Sequence, residues 1–186
     1  MVKLAIVVGS TRPGRKAEAV AKWVLENAQE RANATFEIVD IADFNLPLLD
    51  EPVPPSMGQY SKPHTLAWAA RIAAFDGFVF VTPEYNHGPS GALKNAIDFI
   101  YAEWNNKAAG FVGYGSLGGS RAVEQLRLIL AEVQVATVRS QVALSLATDF
   151  ENYTTFKPSS NHLKPLNTML DQLTAWASAL KKVRIA

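Results

Sequence analysis

The stretch "KLAIVVGSTRPGRKAEAV", residues 3–20, decides how the rest of the chain is read. Residues 3–8 are apolar on both faces, as in a strand of a parallel sheet covered by helices on either side. Residues 9–16 then bring glycine, hydroxyl and cationic side chains. From residue 16 to 32 the pattern turns helical, with Val20, Val24 and Ala28 on one face. A strand passing through such a loop into a helix presents backbone N–H groups that have no intrahelical partner and attract an anion. Ser10 and Thr11 add hydroxyls. Arg12, Arg15 and Lys16 add charge where the helix dipole is already positive, which is self-repelling unless an anion sits among them.

The loop resembles a nucleoside-triphosphate cradle only superficially. Gly9 and Gly14 take the two glycine places of G-x-x-x-x-G-K-[ST], but Arg15 stands at the lysine place and Lys16 at the hydroxyl place. Pro13 also removes one N–H. The G-x-G-x-x-G dinucleotide signature is absent as well. What the loop suits is a monophosphate.

Working outward, the same alternation continues. Segments 36–39, 77–81, 109–114 and 137–144 read as further strands, and 62–75, 91–103, 119–134 and 164–182 as further helices. Five strands alternating with five helices predict an α/β doubly wound parallel sheet with helices on both faces, in the flavodoxin-like order 2-1-3-4-5. No repeat or linker divides residues 1–186, so a single domain is expected. The Pro-rich stretch 45–63 reads as a surface loop beside the site. In this architecture ligands bind at the carboxyl ends of the strands, which singles out the loops 9–16, 82–91 and 115–121.

The composition narrows the function. The 186 residues are 48% hydrophobic and 19% charged, with net charge +1 and no cysteine. That balance argues against a nucleic-acid or anionic-membrane partner. It also removes disulfides and thiolate chemistry. No apolar run approaches the ~18 residues of a membrane span, and the start of the chain does not read as a signal peptide, so a cytoplasmic protein is expected. His64, His87 and His162 lack metal-ligand spacing, so no metal site is expected.

"TPEYNHGPSGALKNAIDF", residues 82–99, fixes a rigid loop after the third strand. Such a loop can aim backbone N–H groups at the edge of a flat ligand while Tyr85 covers part of it. Gly88 is expected to carry an unusual backbone angle, and His87 to serve either as a proton donor or as a turn residue. "GPSG", residues 88–91, does not satisfy the nucleophile-elbow pattern. "YGSLGGSRA", residues 114–122, repeats the strand–glycine–helix arrangement. Together the loops outline a pocket with a phosphate end and a planar polar end.

"GSTRPGR", "PEYNHGPSGALKNAIDF" and "YGSLGGSRAVEQLR" resemble the NADPH-dependent FMN reductase family, the flavodoxin-like group of NAD(P)H quinone, azo and chromate reductases. The resemblance implies FMN as cofactor and NADPH or NADH as co-substrate, with a small-molecule electron acceptor and a homodimer or homotetramer. It implies that Ser10, Arg12, Arg15, Lys16 and Ala17 surround the FMN phosphate, with the Thr11 hydroxyl read from the loop itself as a further cofactor-binding group, that Pro83, Glu84, Tyr85 and Asn86 meet the isoalloxazine, and that Ser116 and Gly118 close the pocket. No catalytic side chain is implied, because the cofactor carries the redox step. One departure stands out: many members have G-S-x-R-x-x-S-x-N, whereas here Arg15 and Ala17 occupy the Ser and Asn places. A phosphate held more electrostatically is the expectation. Two rival readings are an electron carrier without enzymatic activity and a flavin-free regulatory module.

Overall fold

The computed structural model describes residues 1–184. Strands β1 (Val2–Val8), β2 (Ala34–Asp40), β3 (Gly77–Pro83), β4 (Lys107–Gly115) and β5 (Val135–Ser145) form one sheet in the order β2-β1-β3-β4-β5. Every neighbouring pair in it is parallel. The doubly wound order expected from the strand count is therefore the observed one.

Alternation within the strands builds two separate cores. Leu4, Ile6 and Val8 of β1, with Val79 and Val81 of β3, pack against helices α1 (Ala17–Ala28) and α5 (Leu163–Arg184). Ala5 and Val7, with Phe78 and Phe80, face the other way. They meet α2 (Pro63–Ala73), α3 (Gly91–Asp98) and α4 (Ser120–Glu132). A strand with two buried faces favours apolar side chains, which is why β1, β3 and β4 read as nearly continuous apolar runs, with Thr82 and Lys107 buried but bonded to the carbonyls of Pro83 and Ile72.

Three local features depart from expectation. Helix α3 stops at Asp98 rather than near residue 103. Beyond it Trp104 is buried and donates through its indole to the Ile97 carbonyl (3.1 Å), which turns the chain toward β4. In β5 the pairing slips between Thr137 and Gln141. Arg127 fills the irregularity, donating to the carbonyls of Val138 (2.7 Å) and Arg139 (3.2 Å) with its guanidinium 4.8 Å from the Phe111 ring centroid. Finally, a short antiparallel hairpin, β6 (Phe150–Glu151) with β7 (Thr155–Phe156), follows β5 where no strand was expected. It packs Phe156 on Trp23 of α1 (5.9 Å between centroids). Its root is Asp149, a buried carboxylate that accepts from the backbone N–H groups of Ser145 (2.9 Å) and Ser159 (3.3 Å) and sits 2.8 Å from His162 Nε2.

The 45–63 loop is tied down along its length. Asn95 of α3 donates to the Pro47 carbonyl (2.6 Å) and accepts from Leu49 N–H (3.0 Å). Glu51 accepts from the backbone N–H groups of Ser61 and Lys62, both at 2.9 Å, which starts α2.

Candidate functional site

The loops after β1, β3 and β4 meet at the carboxyl edge of the sheet. They line a cleft formed by Arg12, Gly14, Arg15, Lys16, Pro83, Glu84, Tyr85, Tyr114, Gly115 and Leu146. Two of its neighbouring loops are joined directly. The Ser10 hydroxyl is fully buried, 3.0 Å from the Tyr85 hydroxyl. Ser90 donates to the Gly9 carbonyl (2.6 Å) while accepting from Leu93 N–H (3.0 Å), so one side chain both caps α3 and fastens the first loop. Gly9 is required there, because a Cβ would fall 2.7 Å from the Val81 carbonyl oxygen.

Helix α1 opens on this cleft without a side-chain cap, in contrast to α3. Its first N–H groups are thus available to an anion. Arg12 is exposed and Lys16 half-buried at the cleft wall; among the described residues neither side chain has an ion-pair partner. Ala17, the first helical residue, is buried.

Arg15 behaves differently from expectation. Its guanidinium turns toward the end of β2 and donates to both carboxylate oxygens of Asp40 (2.9 and 2.5 Å), to the Ser10 carbonyl (2.5 Å) and to Glu18 (2.8 Å). Burial works against this charge, but the bonds to Glu18 and Asp40 more than offset it and hold the Arg15 pKa above its ordinary value. The reason is register: Val8 pairs with Asp40, so the last residue of β2 lies beneath the start of the loop. Arg15 lines the cleft as a strut whose charge is already compensated, and the extra electrostatic hold on a phosphate expected from it does not follow.

The second loop also redistributes its roles. Glu84, its side chain only 4% exposed, is turned onto Arg121 at the start of α4. It accepts from the Arg121 side chain (2.6 Å) and from its backbone N–H (3.1 Å). Burial alone would raise the carboxyl pKa, but the Arg121 bonds outweigh it and hold it below the ordinary carboxylate value. The Glu84 N–H goes to the Tyr114 carbonyl (3.0 Å) and the Tyr85 N–H to the Gly88 carbonyl (2.9 Å). Tyr85 and Gly88 exchange two backbone bonds around Asn86 (φ 48°) and His87 (φ 72°). This is a two-residue turn with both central residues left-handed, a geometry that usually selects Asn-Gly. The unusual angles therefore belong to Asn86 and His87. Gly88 is not among the residues of positive φ, and a Cβ there would meet only the Tyr85 oxygen at 4.0 Å. Asn86 and His87 sit exposed at the tip, and among the described residues their backbone N–H groups have no backbone acceptor.

The remaining expected residues divide. Pro83 ends β3 at the cleft, paired in register with Tyr114. Ser116 is exposed at the rim. Gly118 (φ 65°) is buried beneath the turn, where a Cβ would lie 2.7 Å from that of Ala143, so its place is dictated by packing on β5 and it does not line the cleft. Thr11 faces a neighbouring groove with Ile41, Asn45 and Asn95. Tyr114, Gly115 and Leu146 line the cleft without having been singled out from the sequence. The first two stand in the "YGS" run, and Leu146 is held there by its N–H bond to the Gly115 carbonyl (3.1 Å). Among the described residues, no cluster of His, Asp and Glu has the geometry to hold a metal, and no helix is long and apolar enough to cross a membrane.

The cleft fits the phosphate end of a flavin mononucleotide on three counts: an uncapped helix start, two cations without ion-pair partners among the described residues, and a buried Tyr114 hydroxyl likewise without a hydrogen-bond partner among them. Comparison with known proteins agrees. The sequence profile described as NADPH-dependent FMN reductase matches residues 2–149. An NAD(P)H-dependent FMN reductase of Schizosaccharomyces pombe is 40% identical over 149 residues, covering 79% of this chain and 74% of that protein. An NADPH azoreductase of Bacillus is 31% identical over 147 residues (77% and 76% covered). A 2-hydroxy-1,4-benzoquinone reductase of Burkholderia is 28% identical over 184 residues (94% and 96%). Among solved structures, the flavoenzyme NAD(P)H:(acceptor) oxidoreductase of Paracoccus denitrificans superposes with a TM-score of 0.75 over 96% of this chain and 98% of its own, at 23% identity, a likeness of fold. With its profile match, its relatives and its sheet order in agreement, the chain belongs to the NADPH-dependent FMN reductase family.

Proposed function

We propose that the whole chain acts as one FMN-binding domain that oxidises NADPH or NADH and passes two electrons to a small-molecule acceptor of the quinone or azo class. The observation that carries this reading is the cleft at the uncapped start of α1, where Arg12 and Lys16 line the wall beside the first helical amides. The relatives' names support the acceptor class: quinone and azo compounds share a conjugated electrophile that accepts hydride and a proton. When bound, FMN supplies the redox chemistry itself, accepting hydride from a reduced nicotinamide and delivering it to a second substrate.

The protein's part is binding, orientation and polarity. Arg12 and Lys16 neutralise the phosphate, and the α1 amides orient it. The Asn86–His87 turn offers free N–H groups, and donors of this kind near a bound ring would favour negative charge as it develops. Glu84 cannot serve as a proton donor at neutral pH, since Arg121 holds its carboxylate ionised. Its work is to fix α4 and the loop around it. The exposed apolar side chains of Leu48, Met57 and Leu66 support assembly as a homodimer or homotetramer.

The test compares FMN with riboflavin, which lacks the phosphate, on wild type and Arg12→Ala. Loss of a charge-assisted bond of about 1.5–3 kcal/mol should weaken FMN roughly tenfold to a hundredfold and leave riboflavin nearly unchanged. NADPH oxidation by the FMN-loaded wild type, accelerated by a quinone or azo acceptor, completes it. FMN bound without NADPH oxidation would favour an electron carrier; no flavin binding at all would favour a regulatory module.

A further inference from the structure

Tyr114 reads in the sequence as one more apolar residue of a buried strand, yet its hydroxyl is out of place in a core. The residue is 5% exposed, with its ring 6.1 Å from that of Phe150. The hydroxyl ends beside the Ser10 hydroxyl and the Ala17 N–H, and among the described residues it meets hydrogen-bond geometry with none. A buried hydroxyl left unpaired is destabilising. Of the unpaired buried atoms among the described residues, which include Thr65 and Thr174, the Tyr114 hydroxyl is the one on a cleft-lining residue, where a partner can come from outside the chain. Burial pushes its pKa up, so it remains a neutral donor through the physiological range.

The surroundings specify that partner. The helix start that the hydroxyl faces has no side-chain cap, and Arg12 and Lys16 line the same cleft. Arg15, committed to Asp40, Glu18 and the Ser10 carbonyl, contributes no free donor. Other hydroxyls are occupied or turned aside: Ser10 is bonded to Tyr85, and Thr11 faces the adjoining groove. We infer that the Tyr114 hydroxyl donates a hydrogen bond directly to the phosphate of FMN, a ligand supplied from β4 rather than from the loop that cradles the rest of the group. This inference rests on the FMN-binding reading above.

Tyr114→Phe removes the hydroxyl and keeps the ring. Two measurements separate a ligand role from a structural one: thermal melting of the flavin-free protein, and dissociation constants for FMN and riboflavin from flavin fluorescence. The expected result is an unchanged or raised melting temperature without flavin, because an unpaired buried hydroxyl has gone. FMN binding should weaken about tenfold while riboflavin changes less than twofold. Equal losses for the two flavins, no loss for FMN, or a lowered melting temperature in the flavin-free protein would each overturn the inference. Wild type that fails to bind FMN would instead sink the functional reading itself, and is told apart by being seen before any substitution is made.

Discussion

Arg15→Ala is the substitution on which expectation from sequence and expectation from structure differ most. A loop cation next to a phosphate site should cost FMN affinity when removed. The structure says that it should cost stability. The Arg15 and Asp40 side chains are 13% and 16% exposed, and two of the guanidinium's bonds close on the Asp40 carboxylate. Removing one partner of a fully buried pair costs about 3–5 kcal/mol, chiefly by stranding the other charge. Here water still reaches part of Asp40, so we take about 2–3 kcal/mol. For a chain of this size that corresponds to a fall of roughly 5–10 °C in melting temperature. Arg15→Lys should recover less than half, since an ammonium cannot bridge Asp40, Glu18 and the Ser10 carbonyl in one plane. The assay is calorimetry of the flavin-free protein, with a double-mutant cycle against Asp40→Ala to isolate the pair. FMN and riboflavin should weaken together as the loop loosens. An unchanged melting temperature combined with a loss confined to FMN would refute the strut and return Arg15 to the phosphate.

Two further expectations follow from the second loop. Glu84→Gln should lower stability by about 1.5 kcal/mol at neutral pH, the low end for a charged hydrogen bond because Arg121 is 39% exposed. The Glu84 pKa is lower folded than unfolded, so its contribution is present above the ordinary glutamate range and is lost as pH falls through the folded value. Melting curves of wild type and Glu84→Gln should therefore converge in acid, and a constant gap down to the acid limb would contradict this. His87→Gly should stabilise by about 0.5–1 kcal/mol, because glycine adopts φ 72° without steric cost; a lower melting temperature would show that the His87 side chain holds the turn.

What was legible in the sequence was whatever depends on local pattern. The doubly apolar runs of β1, β3 and β4 fix a parallel sheet, and its topology then places the three loops at one edge. What was not legible depends on register across distance. Nothing near Arg15 announces Asp40, which arrives only through the β1–β2 pairing. Glu84 reads as a ligand-facing acid until α4 brings Arg121 onto it. Gly88 looked like the flexible residue of its loop, yet it is the closing position of a turn whose strained angles fall on Asn86 and His87. The β6–β7 hairpin has two residues in each strand, too few for any alternation to show. Tyr114 was hidden by its own strand, since a phenol amid apolar neighbours reads as core.

The Ser90 hydrogen bond to the Gly9 carbonyl has a consequence for ligand length. Together with the Gly9 N–H bond to Val81 and the β1–β3 ladder, it locks the first loop to the root of the second. The two ends of the cleft then behave as the jaws of a calliper whose opening is set by backbone register. Side-chain substitutions in either jaw can loosen the grip, but they cannot change the gap. A preference for one span between phosphate and ring is thus written into the ladder, and relaxing it requires moving a strand.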